Sequence, residues 1–263
     1  MTVIEVKSAS RVVQILELLA SCRCAMQHKN IAEELNIPKG SLTKLLANLV
    51  DSGYLSFDSA SKTYKLGPRV LTLADSYLSS LDIVQTAQPI VRNLVAKTGE
   101  SCSLAVLDGN SALVVHRQYG HQPMSFRLGI GARIPLYATA SGKALLAFLS
   151  KEEIEGYLSS VELKPLTHAT ITDPSILLRE LESVRSEGVA YSRQDRFEGL
   201  AAIAAPVFRL DGSVDAAIAV IYLNIRSGLI DFSALKDALM EASAELSKCL
   251  GFQRSGLKRV SIY

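Results

Sequence analysis

Residues 28–66, HKNIAEELNIPKGSLTKLLANLVDSGYLSFDSASKTYKL, read as a short helix, a tight turn, a second helix and a polar-tipped hairpin. In the first helix Ile31, Ala32 and Leu35 recur at helical spacing, and in the second Leu42, Leu45, Leu46 and Leu49 do the same, so each has one buried face. Asn36-Ile37-Pro38 ends one helix and starts the next, because Asn tolerates the turn and Pro the first helical position. The link is too short for anything but a sharp corner. After Gly53 the chain alternates as Tyr54-Leu55-Ser56-Phe57, turns through Asp58-Ser59-Ala60-Ser61 and returns as Tyr64-Lys65-Leu66, the period and punctuation of a β-hairpin. Helix, turn, helix and hairpin together spell a winged helix-turn-helix, which points to double-stranded DNA as a ligand.

With the leucines inward, the outward face of the second helix carries Lys39, Ser41, Thr43, Lys44 and Asn48, with Gly40 beside them, within reach of phosphates and base edges. Lys62, near the hairpin tip, is placed against the sugar-phosphate backbone. Taken alone, these lysines would be an ordinary solvated face; it is the order of helix pair, turn and wing that argues for DNA. Residues 1–67 hold 8 Lys+Arg and 6 Asp+Glu, and the remainder 20 of each, so the net charge of +2 sits in this part of the chain. That is a small electrostatic footprint for one copy, and useful affinity calls for two or more copies on one DNA.

At 263 residues, 48% hydrophobic and 21% charged, the chain has room for two globular domains and is too apolar for a disordered one. The apolar runs are short: Ala216 to Leu223 is followed by Asn224 and Arg226, and Leu200 to Phe208 is broken by Pro206, so no membrane partner is expected. Glu5, Lys7 and Arg11 interrupt any signal peptide, so a cytoplasmic protein is expected. Cys22, Cys24, Cys102 and Cys249 are scattered without a CxxC pair and read as reduced thiols.

Upstream, Val12, Ile15, Leu16 and Leu19 make Arg11 to Ala20 a helix packed behind the helix-turn-helix. Gly67-Pro68 closes the wing, Arg69 to Val84 is predicted as one connecting helix, and a further helix is predicted from Ile90 to Lys97, after Pro89. Cys102 to Leu107 and Ala112 to Arg117 flank Asp108-Gly109-Asn110, while Ala202 to Arg209 and Val214 to Tyr222 flank Leu210-Asp211-Gly212-Ser213. These are two hairpins of one antiparallel sheet. Helices are predicted over Ser141 to Phe148, Lys151 to Leu158, Pro174 to Glu187 and Phe232 to Leu250. The fold class is α+β: a winged helix-turn-helix over 1–68, a linker helix over 69–84, an antiparallel sheet with flanking helices over 85–253, and a tail over 254–263.

No catalytic or metal constellation is complete, and no cofactor is expected. Ala140-Ser141-Gly142-Lys143-Ala144 lacks the Gly of a phosphate loop at Tyr137 and the magnesium-binding hydroxyl at Ala144. Gly129-Ile130-Gly131 begins a dinucleotide fingerprint that fails at Ile134. Ser141, His116 and Asp195 are the residue types of a nucleophilic triad, but no G-x-S-x-G elbow surrounds the serine. His28, His116, His121 and His168 are spread over three regions, whereas zinc needs clustered ligands; at most His116 and His121 could share a loop-bound metal. Ser141-Gly142, at a predicted helix start, offers unpaired N–H groups to a carboxylate; the plain alternative for the Ser141 hydroxyl is a helix cap.

Over Ser10 to about Phe252 the sequence resembles the IclR (isocitrate lyase regulator) family of bacterial transcription factors. The resemblance rests on Ser10-Arg11-Val12-Val13-Gln14-Ile15-Leu16, Ile37-Pro38-Lys39-Gly40-Ser41-Leu42-Thr43-Lys44-Leu45-Leu46 and Ser52-Gly53-Tyr54-Leu55 in the first domain. In the second it rests on Ile134 through Ala147 and on Ile203-Ala204-Ala205-Pro206-Val207. It implies a GAF-like effector domain after the linker helix, a homodimer or homotetramer, and a small organic-acid or aromatic-acid effector. It also implies an effector pocket lined by Ala140, Ser141, Ser192, Asp195, Ala202, Ala219 and Ile221, with Phe126 closing one side; plain core packing is the alternative for Ala202, Ala219 and Ile221.

Two positions depart from the family pattern. Gly40-Ser41 and Lys44 stand where relatives commonly have Ser-Thr and Arg, which gives up the bidentate fork to guanine. Ala202 stands where many have Cys, so the pocket reads as less polar and suited to an acid with an apolar or aromatic body. The expected function is a transcriptional regulator of a catabolic operon, a repressor being the commoner outcome in the family. A metabolite-processing domain using Ser141 as nucleophile, and a protein-interaction adaptor, are the alternatives.

Overall fold

A computed structural model describes residues 6–22, 24–80, 82–121 and 129–252. The chain divides into two compact units, Met1–Ser80 and Leu81–Tyr263.

The first unit runs α1 (Lys7–Cys22), β1 (Met26–Gln27), α2 (His28–Glu34), α3 (Lys39–Asp51), β2 (Leu55–Asp58), β3 (Thr63–Leu66) and α4 (Arg69–Ser80). Its core joins Ile15 and Leu19 of α1 to Ile31 of α2, Leu42, Leu46 and Leu49 of α3, and Leu55 of β2. The corner between α2 and α3 turns on Asn36, at φ +49°, and on Ile37, which is buried while Pro38 opens α3. The wing is β2 paired antiparallel with β3 from Leu55↔Leu66 to Asp58↔Thr63, and β1 adds a third strand at Tyr64 and Thr63. At its tip Asp58 accepts hydrogen bonds from the Ser61 hydroxyl and the Ala60 N–H, which hold its carboxyl below the usual range. Gly67 closes the wing because a Cβ there would collide with the backbone of Gly53 and Leu55.

The second unit runs α5 (Asp82–Thr98), β4 (Ser101–Asp108), β5 (Ser111–Gln118), β6 (Arg133–Pro135), α6 (Ala140–Leu146), α7 (Lys151–Ser160), α8 (Pro174–Glu187), β7 (Ala190–Arg193), β8 (Leu200–Phe208), β9 (Val214–Leu223) and α9 (Phe232–Cys249). The strands form one antiparallel sheet in the order β6-β5-β4-β9-β8-β7. Both faces are covered. Ala105, Ala204 and Ala219 pack toward α6, α7 and α8, while the alternate residues Ile203, Ala205, Ile218 and Val220 are equally buried and α5 and α9 pack together on the sheet. Small alanines on the α6 side let the helix approach closely.

Helix is described on both sides of residue 81, as α4 over Arg69–Ser80 and α5 over Asp82–Thr98, and α5 runs through Pro89 rather than starting after it. Ile83, Val84, Ala87, Ile90, Val91 and Leu94 form one buried stripe, whereas Pro89 sits on the exposed side. Burial of that stripe outweighs the single backbone hydrogen bond that the proline forgoes. Strands β6 and β7, of three and four residues, are absent from the sequence reading.

Three interactions fix α6 over the sheet. Thr139 caps it, its Oγ1 accepting from Gly142 N–H at 3.1 Å and donating to the Pro135 carbonyl at 2.9 Å. Gly142 leaves no room for a side chain, since a Cβ would strike the Pro135 and Leu136 backbone. Lys143, 2% exposed, donates from Nζ to Asp195 Oδ2 at 2.9 Å and to Glu180 Oε1 at 3.0 Å, tying α6 to α8 and to the loop after β7. Asp195 Oδ1 in turn accepts from Arg193 N–H at 2.8 Å.

Gly142→Ala is expected to destabilise the protein by about 1–3 kcal/mol through overpacking. Gly156→Ala in α7, where nothing lies within 4 Å, is expected to stabilise it by up to about 1 kcal/mol. Lys143→Ala leaves Asp195 as an uncompensated buried charge and should cost about 3–5 kcal/mol. Urea unfolding of the full chain, followed by circular dichroism, orders the three.

Candidate DNA interface and effector cavity

The exposed side of α3 is a stripe of Gly40, Thr43, Lys44, Ala47, Asn48 and Asp51, with Lys39 at its start. Small residues at Gly40 and Ala47 between the longer Lys44 and Asn48 suit a helix that enters a groove closely. Lys62, at φ +53° in the wing turn, is exposed. Two of the sequence-derived residues are already engaged within the unit. Ser41 is half-buried and its Oγ accepts from Arg11 Nη1 at 3.4 Å. Thr43 Oγ1 donates to the Lys39 carbonyl at 2.9 Å and lies 3.0 Å from His28 Nε2. With its proton directed to Lys39, the hydroxyl accepts from the imidazole, and the part of Thr43 left for a base edge is its methyl group. Arg11 and His28 carry no local signal as site residues, because only the packing of α1 and α2 against α3 brings them to the recognition helix.

In the second unit a cavity of about 70 Å³ lies between the sheet and the turn into α6. Sheet register builds its floor in two rows. Ser192, Ala202 and Ile221 stand side by side on β7, β8 and β9, and Ala219, Ser103 and Arg117 on β9, β4 and β5. Thr139, Ala140 and Ser141 form the rim at α6, and Arg196 and Phe197 of the loop after β7 form the opposite rim. Of the residues named from the sequence, Ala140, Ser141, Ser192, Ala202, Ala219 and Ile221 all line this space. Asp195 does not, because its carboxylate is held by Lys143 and the Arg193 N–H. Phe126 lies outside the described residues.

Hydroxyls and two guanidiniums supply the polarity. Arg117 is 9% exposed, with its guanidinium carbon 4.8 Å from the Tyr119 ring centre; that of Arg196 lies 5.1 Å from the Phe197 ring centre. Burial lowers the proton affinity of both. Arg196 Nη1 is buried without a hydrogen-bond partner among the described residues, and burying a polar group that way is unfavourable unless something joins it. The N–H cradle expected at the start of α6 is partly used, since Gly142 N–H is taken by the Thr139 cap and the helix is seven residues long. Arg117 and Ser103 could have been found in the sequence only by fixing the β4–β5 register, and Arg196 sits in an irregular loop that carries no periodic signal.

The nucleophilic arrangement does not form. His116 is paired with Leu104, out of phase with Arg117, and is not part of the cavity wall, while Asp195 is committed to Lys143. Among the described residues, no group of three or more His, Cys, Asp or Glu side chains is placed to hold a metal ion, and no helix is long and apolar enough to cross a membrane.

Residues 8–59 match the IclR helix-turn-helix domain, and residues 75–248 match the family described as bacterial transcriptional regulator IclR C-terminal. The HTH-type transcriptional regulator BhcR of Paracoccus denitrificans is 30% identical over 92% of this chain and 86% of its own length. The HTH-type transcriptional repressor AllR of Salmonella typhi is 26% identical over 94% of this chain and 91% of its own. Among solved structures, an IclR homolog from Microbacterium hydrocarbonoxydans complexed with 4-hydroxybenzoate superposes with a TM-score of 0.82 at 26% identity, covering 93% of this chain and 99% of that one. On the matches of both its domains, the chain belongs to the IclR family of bacterial transcriptional regulators.

Proposed function

We propose that this regulator is a cytoplasmic repressor of a catabolic operon whose hold on its operator is set by a small organic acid in the second-unit cavity. The observation that carries the proposal is the presence on one chain of an exposed recognition stripe and a cavity lined by two guanidiniums and four hydroxyl side chains, Ser103, Thr139, Ser141 and Ser192. Cationic and hydroxyl groups above an apolar floor suit an acid with a carbon body. The repressor sign is supported by the similarity to AllR, and an acid effector by the 4-hydroxybenzoate in the Microbacterium structure.

Lys39, Lys44 and Lys62 take phosphates, while Gly40, Thr43 and Asn48 face base edges and Ser41 braces the recognition helix through Arg11. With a net charge of only +2, the working form is a homodimer or homotetramer that brings several recognition helices to one DNA. Effector binding favours one placement of these helices over another, with residues 69–84 between the DNA-binding and effector parts as the transmitting segment. The second unit is read as a binding domain rather than an enzyme; this is supported by Ser141 having neither His116 nor Asp195 placed to activate it.

Fluorescence anisotropy on the intergenic DNA upstream of the protein's own gene, at physiological salt with excess competitor, tests this reading. Wild type is expected to bind specifically. Lys44→Ala is expected to bind more weakly, and its salt slope should be shallower by about 0.9 for each phosphate it no longer neutralises. Thr43→Val, which keeps the methyl and removes a hydroxyl bonded to its own helix, should stay within about threefold of wild type. Equal binding of competitor and operator by wild type would count against a sequence-reading regulator.

A further inference from the structure

Arg196, in the loop after β7, lines the effector cavity with its Nη1 buried and without a hydrogen-bond partner among the described residues. Acids close to it in the chain are engaged elsewhere: Asp195 pairs with Lys143, and the exposed Glu198 lies 3.6 Å from His168 Nδ1. Arg117, the other guanidinium of the wall, is already engaged within the protein. A buried N–H left unpaired is unfavourable, and more so on a cation. The backbone around Arg196 is nevertheless firmly built. Gln194 adopts φ +70°, a conformation that persists in a non-glycine residue only where the surroundings impose it. Here Thr167 Oγ1 donates to the Gln194 carbonyl at 2.8 Å, Thr170 Oγ1 to the Asp195 carbonyl at 2.6 Å, and Gly199 N–H to Gln194 Oε1 at 2.7 Å. The loop is thus fixed on both sides of a guanidinium that has an unfilled donor.

We infer that Arg196 is the residue that selects for negative charge in the effector. Its guanidinium takes the effector carboxylate at the rim formed by the loop after β7, and the carbon body lies over Ala202, Ala219 and Ile221. This rests on the effector-responsive reading above and deepens it, by moving the carboxylate from the start of α6 to the opposite rim. The start of α6 has less to give, since the Gly142 N–H is taken by the Thr139 cap and the helix is seven residues long. A guanidinium meets a carboxylate through charge-assisted bonds that are stronger than those of a neutral hydroxyl such as Ser141 or Ser192. Its carbon lies 5.1 Å from the Phe197 ring centre, a contact that helps to orient the fork.

Isothermal titration calorimetry on the full-length protein with butyrate, hexanoate, benzoate and 4-hydroxybenzoate, each against its own primary amide, tests the inference. Acid and amide share a carbon body and differ by one charge. At least one acid is expected to bind about tenfold or more tightly than its amide, the effect of a charge-assisted contact. Arg196→Met is expected to bring that ratio within about threefold of unity. Arg196→Lys, which keeps the charge and gives up the fork, should retain part of the ratio, and Ser141→Ala should leave it in place. An arginine that only braced the loop would, on removal, weaken acid and amide together and leave the ratio unchanged, a result that overturns the inference. It is equally overturned by a ratio near one in wild type, by no binding of any acid, or by a ratio lost in Ser141→Ala and kept in Arg196→Met. Where Arg196→Met fails to fold by circular dichroism, the neutral Arg196→Gln takes its place with the same expected ratio. Operator binding by the ligand-free wild type reports separately on the regulator reading. Specific DNA binding with a ratio near one overturns only the role of Arg196, and an Arg196-dependent ratio without specific DNA binding overturns only the regulator.

Discussion

The buried ammonium group of Lys143 is the feature on which the effector cavity depends. Placing a lysine at 2% exposure is unfavourable unless its charge is met in place, and Asp195 and Glu180 meet it at 2.9 Å and 3.0 Å. Those two bonds fix the helix that forms one rim of the cavity and the loop that forms the other. Asp195 is followed directly by Arg196 and Phe197, so the carboxylate that satisfies Lys143 also sets where the second guanidinium enters. Gly142 and the Thr139 cap complete the placement by letting α6 rest on the Pro135–Leu136 backbone. The same acid cannot both neutralise Lys143 and contact a ligand. With Asp195 absent from the lining, the charged side chains of the described wall are Arg117 and Arg196.

The DNA-binding unit is built with the opposite economy. Its core is a small set of leucines and isoleucines, and nearly all the polar chemistry lies on the surface of α3 and at the wing tip. Neighbouring helices shape that surface: Arg11 of α1 holds Ser41, and His28 of α2 holds Thr43. Because Thr43 directs its proton to its own helix, it leaves a methyl group on the outer face, whereas Lys44 and Asn48 are exposed on the stripe proposed to meet DNA.

Much of this was legible in the sequence. The apolar period of α2 and α3, the Asn36–Pro38 corner and the alternating wing are local signals, and the long hairpins of the effector sheet are bounded by turn residues. Six of the eight residues assigned to the effector pocket from the family resemblance line one cavity. The misses have physical causes. Pro89 is a poor helix stop when it faces solvent and the opposite face is buried, so α5 begins earlier than Ile90. Asp195 reads as a pocket residue until the buried Lys143, an ordinary lysine in a small-residue motif as far as sequence goes, is seen to claim it. Arg117 and Arg196 are invisible to periodicity, because one depends on long-range strand register and the other on an irregular loop.

A regulator of this kind is defined by coupling, in which the cavity and the operator each change the other's affinity by the same factor. The most direct measurement is the operator dissociation constant as a function of the tightest-binding acid from a panel of small aliphatic and aromatic carboxylic acids, taken to saturation, alongside the acid's affinity with and without operator. The expected result is a shift of about 5–150-fold in operator affinity, mirrored by an equal shift in the affinity for the acid. A cavity that fills completely while operator affinity stays constant would contradict effector control of this protein.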